Sequence, residues 1–154
     1  MNQEILLLLG GVLLDALFLC LLAWASISDV WKRIIPNIVV ILIFLTAICK
    51  TVLLAAAGSV WWIYPVGLLL IIPFIAFWNR GWMGAGDSKL IGVCGFYLNI
   101  YGGLIMLAIF AGWLLITMAF MYFRQIDHRP RVPLAPFISL SAALTMLIGY
   151  TPLA

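Results

Sequence analysis

The stretch LIGVCGFYLNIYGGLIMLAIFAGWLLITMAFMYF, residues 90–123, runs for 34 residues without a charge. One continuous helix of that length would measure about 51 Å at 1.5 Å per residue. A hydrocarbon core of about 30 Å takes only about 20 residues, so a single span would need extreme tilt. The stretch is therefore predicted to be two helices. Asn99, Gly102 and Gly103 supply the turn, leaving a short helix from about Asp87 to Leu98 and a full one from about Gly103 to Phe123. A re-entrant short helix is the alternative.

Four further stretches are long and apolar enough to cross by themselves: residues 5–27 with Asp15 as the one charge, 38–57 with Lys50, and the uncharged 60–78 and 133–154. The chain is 67% hydrophobic and 8% charged, against roughly half and a quarter in soluble domains. It reads as an all-α polytopic membrane protein, one domain over residues 1–154, with six transmembrane helices of which the fourth is short. Met1 to Glu4 carries no basic run and no small-residue cleavage site follows, so the first segment is expected to stay as an anchor.

Lys and Arg in short loops are retained in the cytoplasm. Six spans with both termini outside put Lys32, Arg33, Arg80, Lys89, Arg124, Arg129 and Arg131 in cytoplasmic connections, seven of the eight basic residues. A re-entrant fourth helix would leave three of these arginines outside. The net charge of +3 thus reflects topology and not nucleic-acid binding. Trp31, Trp61, Trp62, Trp78 and Trp82 fall near span ends, as interfacial aromatics do. Cys20, Cys49 and Cys94 stand singly in apolar segments and form no CxxC pair, so they are predicted to be buried packing thiols, with neither zinc nor disulfide indicated. His128 belongs to a basic loop and reads as solvated.

Ionisable groups in or beside a span are expensive to hold and so point to function. Asp29 closes the first span and Asp87 opens the fourth, which brings both to the cytoplasmic face at comparable depth. Two carboxylates in close approach do not both ionise easily; one keeps a proton while the other acts as base toward a shared water. Gly84 and Gly86 precede Asp87 in Gly84-Ala85-Gly86-Asp87, permitting close approach around the carboxylate. Asp87 is suited to capping its helix. That makes Asp87 the readier base and Asp29, beside an apolar span, the readier acid.

The two stretches Ser28-Asp29-Val30-Trp31-Lys32-Arg33-Ile34-Ile35-Pro36-Asn37 and Met83-Gly84-Ala85-Gly86-Asp87-Ser88-Lys89-Leu90 resemble the motifs of the prepilin peptidases, an aspartate ending the first span and GxGD at the fourth. Pro133-Leu134-Ala135-Pro136-Phe137, at the start of the last span, looks like the same family. The resemblance implies a bacterial inner-membrane aspartic peptidase in which Asp29 and Asp87 activate water to remove the leader of a prepilin or pseudopilin, with no metal or organic cofactor. Bifunctional members carry paired CxxC motifs and methylate the new amino terminus. Their absence here implies a peptidase-only short form, similar to those serving tight-adherence (Flp) pili.

Around that pair, Lys89, Lys32 and Arg33 read as interfacial anchors before catalytic groups. Pro36 and Asn37 suit a turn and a helix cap that hold the Asp29 loop. Asp15 is a different matter, because it sits in mid-span. In a hairpin turning between residues 29 and 36, position 50 lies at the depth of position 15, so Asp15 and Lys50 are expected to form a structural ion pair. Gly10, Gly11, Gly67 and Gly112 are candidates for close helix contact, with substrate or within the chain. The rival reading is a small non-catalytic transporter or scaffold using the aspartates to bind a cation or partner. It would depend on Asp15 and Lys50 more than on Asp29 and Asp87.

Overall fold

The first two apolar stretches fold as long helices, α1 (Gln3–Lys32) and α2 (Asn37–Ala56), in a computed structural model that describes residues 3–123 and 133–149. The basic loop with Arg124, His128, Arg129 and Arg131, and the final residues of the expected last span, lie outside the described residues. α1 stops where Arg33 takes a left-handed φ of 53° and its N–H bonds the Asp29 carbonyl at 2.8 Å. Pro36, extended at ψ 131°, then becomes the N-cap of α2, which no side chain caps. Asn37 is thus the first residue of α2 and not the cap the sequence suggested.

Where the third span is expected, three pieces, α3 (Ile63–Val66), a 3-10 turn (Gly67–Leu70) and α4 (Ile71–Asn79), are joined head to tail over Ile63–Asn79, an apolar segment shorter than the expected 60–78 span. A Cβ at Gly67 would overlap the carbonyl oxygen of Gly95, and one at Gly92 would stand 2.9 Å from Ile71 Cβ. Small residues here let two backbones touch, the means by which helices associate where lipid supplies no hydrophobic drive. Of the other candidate glycines, Gly10 faces Leu53 and Gly112 meets nothing.

α5 (Ala85–Phe123) is broken at Asn99, whose φ of 65° and ψ of 175° are sparsely populated for a residue with a side chain. Asn99 Oδ1 accepts the Tyr101 and Gly102 N–H groups at 2.9 and 3.0 Å, capping the second arm. The chain doubles back there. A Cβ at Gly103 would lie 3.1 Å from Gly95 Cα, where eight residues of straight helix would separate them by about 12 Å. The stretch 90–123 is therefore two helical arms, as its length requires. The turn is Asn99 alone, and Gly102 and Gly103 belong to the second arm.

Every residue from Ile91 to Asn99 is buried, so the first arm is the axis of the fold, and α5 as a whole packs against α2, the 63–79 segment and α6 (Ala135–Leu147). α1 closes against α2 and α6. The described residues form helices and no strand. Among the described residues, Ile5–Lys32, Asn37–Ala56 and the two-armed Ala85–Phe123 are long and apolar enough to cross a membrane, whereas Ile63–Asn79 and Ala135–Leu147 are shorter apolar helices. The outer faces of the long helices carry exposed apolar side chains such as Leu8, Val12, Leu13, Val52, Leu115 and Ile116. A surface of this kind belongs to a membrane protein. It also corrects the reading of the cysteines: Cys94 is buried in the axial arm, but Cys20 and Cys49 are exposed. Lipid is as apolar as the core, so nothing drives such a side chain inward.

Candidate active site

Asp29 lies in the last full turn of α1 and is only 7% exposed. The loop that follows is tied down by Ser28, whose hydroxyl donates to the Ile34 carbonyl at 3.0 Å, and Ile35 turns inward. Gly86 packs against that inward side chain, for a Cβ there would stand 3.1 Å from Ile35 Cβ. Just beyond, Lys89 Nζ donates to Asn37 Oδ1 at 3.3 Å. The two quoted motifs, separated in sequence by residues 38–82, thus meet side by side at one end of the fold. Asp87 lies within electrostatic reach of Asp29.

Helix α5 begins at Ala85, with Ser88 N–H bonded to the Gly84 carbonyl at 3.2 Å. Asp87 is accordingly the third helical residue and not the cap expected of it. From that position a side chain reaches back over the cap residue, as in a capping box. A Cβ at Gly84 would lie 2.8 Å from Asp87 Oδ2. Glycine at 84 therefore makes room for the carboxylate itself. Asp87 Oδ1 is buried and has no hydrogen-bond partner among the described residues.

Asp29 is differently supplied. Its Oδ2 accepts the backbone N–H of Ala135 at 3.0 Å, across 106 residues of sequence, at the first residue of α6. The Pro133–Phe137 run marks a helix start in the sequence, since proline suits a first turn. Which backbone amide meets which carboxylate has no side-chain signature.

Asp15 stands apart from this site, 14 residues before Asp29 and so about 21 Å along α1. Lys50 Nζ is 2.8 Å from Asp15 Oδ1, with Lys50 almost wholly buried. Tyr97, on the axial arm, donates its hydroxyl to the same oxygen at 2.6 Å and carries Lys50 over its ring at 4.1 Å. Phe18 stacks on that ring as well, with centroids 3.8 Å apart. Among the described residues no three His, Cys, Asp or Glu side chains gather as metal ligands.

A half-buried carboxylate beside a buried one, at the polar end of a membrane-spanning bundle, has the makings of acid–base hydrolysis, the chemistry of a membrane protease. The model of the type IV leader peptidase family matches residues 16–151, which include both motifs and the start of α6. The chain belongs to that family, a family of proteases whose substrates are of the prepilin type. No protein of curated function and no solved structure matches the chain.

Proposed function

We propose that the protein is a membrane-embedded aspartic endopeptidase that removes the leader peptide of type IV prepilins or pseudopilins at the cytoplasmic face of a bacterial inner membrane, with Asp29 and Asp87 as its catalytic pair. The observation that carries the reading is the meeting of the two motifs: Gly86 against Ile35 and Lys89 on Asn37 hold the two aspartates at one end of the fold. Lys32, Arg33 and Lys89 lie within the same motifs, and Arg80 just before the second. Short basic connections favour the cytoplasm, which supports six spans with both termini outside in a single domain.

Hydrolysis then needs no group beyond the two carboxylates and a water. The ionised carboxylate takes a proton from the water as its oxygen bonds to the scissile carbonyl carbon, and the protonated carboxyl gives its proton to the carbonyl oxygen. In the second half of the reaction the C–N bond breaks, the leaving nitrogen takes the first proton, and the second returns from the diol to its carboxylate. Gly84 and Gly86 give Asp87 its space and its packing, while Pro36, Asn37 and Lys89 hold the loop beyond Asp29. Asp15 and Lys50 serve as a structural pair. Co-expression with a prepilin from the same genome tests the reading: leader removal is expected, and an intact leader in its presence contradicts it.

A further inference from the structure

The Ala135 amide reaches Asp29 from outside both motifs. We propose that the start of α6 is the positioning element for Asp29, and that the Ala135 N–H, held on Oδ2, fixes the orientation of its carboxylate toward the attacking water. The inference rests on the catalytic reading of the two aspartates.

The first four N–H groups of a helix have no partner within it. In α6, Pro136 has no N–H, the Ile138 N–H is taken by the Leu134 carbonyl at 3.1 Å, and the Ala135 N–H goes to Asp29. Both ends of that last bond are buried, Ala135 fully and Asp29 to within 7%. Water therefore competes poorly for either. The bond is also braced from a second point. Ser139, four residues further along α6, donates its hydroxyl to the Leu22 carbonyl at 3.2 Å, seven residues before Asp29 on α1. Two antiparallel helices joined at two levels fix the rotation of α1 about its axis, and with it the direction in which Asp29 points.

The chemical consequence follows from which oxygens are occupied. A backbone N–H is a donor only, so the oxygen it holds acts as an acceptor, and Asp29 Oδ1 remains to face the attacking water.

Replacing Ala135 by lactic acid through nonsense suppression turns its amide into an ester and deletes only the N–H. An ester at Ile138 is the comparator, because it also weakens the first turn of α6 yet leaves the Ala135 N–H in place. Cleavage of a purified prepilin in detergent is expected to show kcat reduced at least about tenfold by the ester at 135. KM should stay within about twofold, and the ester at 138 should keep kcat within about twofold. Wild-type kcat with the ester at 135, or equal losses from both esters, overturns the proposal. Where suppression yields too little protein, Ala135→Pro removes the same N–H at a helix position that tolerates proline. The same loss of kcat is expected of it, and wild-type kcat again overturns the proposal. Asp29→Ala runs alongside. If it cleaves normally the catalytic reading itself fails, whereas an inactive Asp29→Ala beside a fully active ester at 135 removes only the role of Ala135.

Discussion

The Tyr97 hydroxyl donates to Asp15 Oδ1 at 2.6 Å, and Lys50 holds that same oxygen at 2.8 Å, so one carboxylate joins α1, α2 and the axial arm of α5. Removing one partner of a buried ion pair leaves the other charge uncompensated, at a cost of about 3–5 kcal/mol. Lys50→Met is therefore expected to lower the melting temperature in detergent sharply, and Lys50→Met with Asp15→Asn to recover part of the loss. Tyr97→Phe, which removes a hydrogen bond to a charged group, should cost about 1.5–3 kcal/mol. Unchanged stability, expression and cleavage in both Lys50→Met and Asp15→Asn would end the structural account of the pair.

A second prediction concerns Gly84. The residue is exposed, so an alanine methyl has room everywhere except toward Asp87 Oδ2, 2.8 Å away. Gly84→Ala should fold and accumulate as wild type while leader cleavage falls by about 10- to 100-fold, since small misplacements of a reacting group are that expensive. Full activity would show that Asp87 does not use the space above Gly84.

Gly67 tests the packing that holds the axial arm. Its Cβ has no place beside the Gly95 carbonyl, and the neighbour is backbone, which does not yield. Gly67→Ala is expected to destabilise by about 1–3 kcal/mol or more, the range of overpacked cores. Gly112→Ala, with nothing near it, should leave the melting temperature unchanged within error. Equal melting temperatures for both variants would contradict the close helix contact.

Much of this was legible in residue order alone. The length of 90–123 requires a break, and Asn99 makes it because its side chain caps the arm that follows. Charge placement directs attention to Asp29 and Asp87, and helical depth pairs position 15 with position 50. Residue order does not show what backbone and space decide. The Ala135 amide on Asp29 depends on how α6 docks, and Tyr97 is one of five tyrosines in the sequence until the fold turns it toward Asp15. The cysteines depart from expectation for a related reason: in a membrane the outside is apolar as well, so hydrophobicity does not separate core from surface at Cys20 and Cys49.

Lys89 is expected to matter little to chemistry. Its contact with Asn37 is 3.3 Å and exposed, and exposed polar pairs of this sort contribute less than about 1 kcal/mol. Lys89→Met should keep kcat/KM within about fivefold. A loss of several hundredfold in a stable protein would instead make Lys89 part of the reacting site.

The most direct test is cleavage of a co-expressed prepilin by Asp29→Ala and Asp87→Ala, each confirmed to accumulate in the membrane at the wild-type level. Both variants are expected to leave the leader in place, seen as unprocessed prepilin on a gel. Normal processing by both would contradict the assignment of the two aspartates as the catalytic pair.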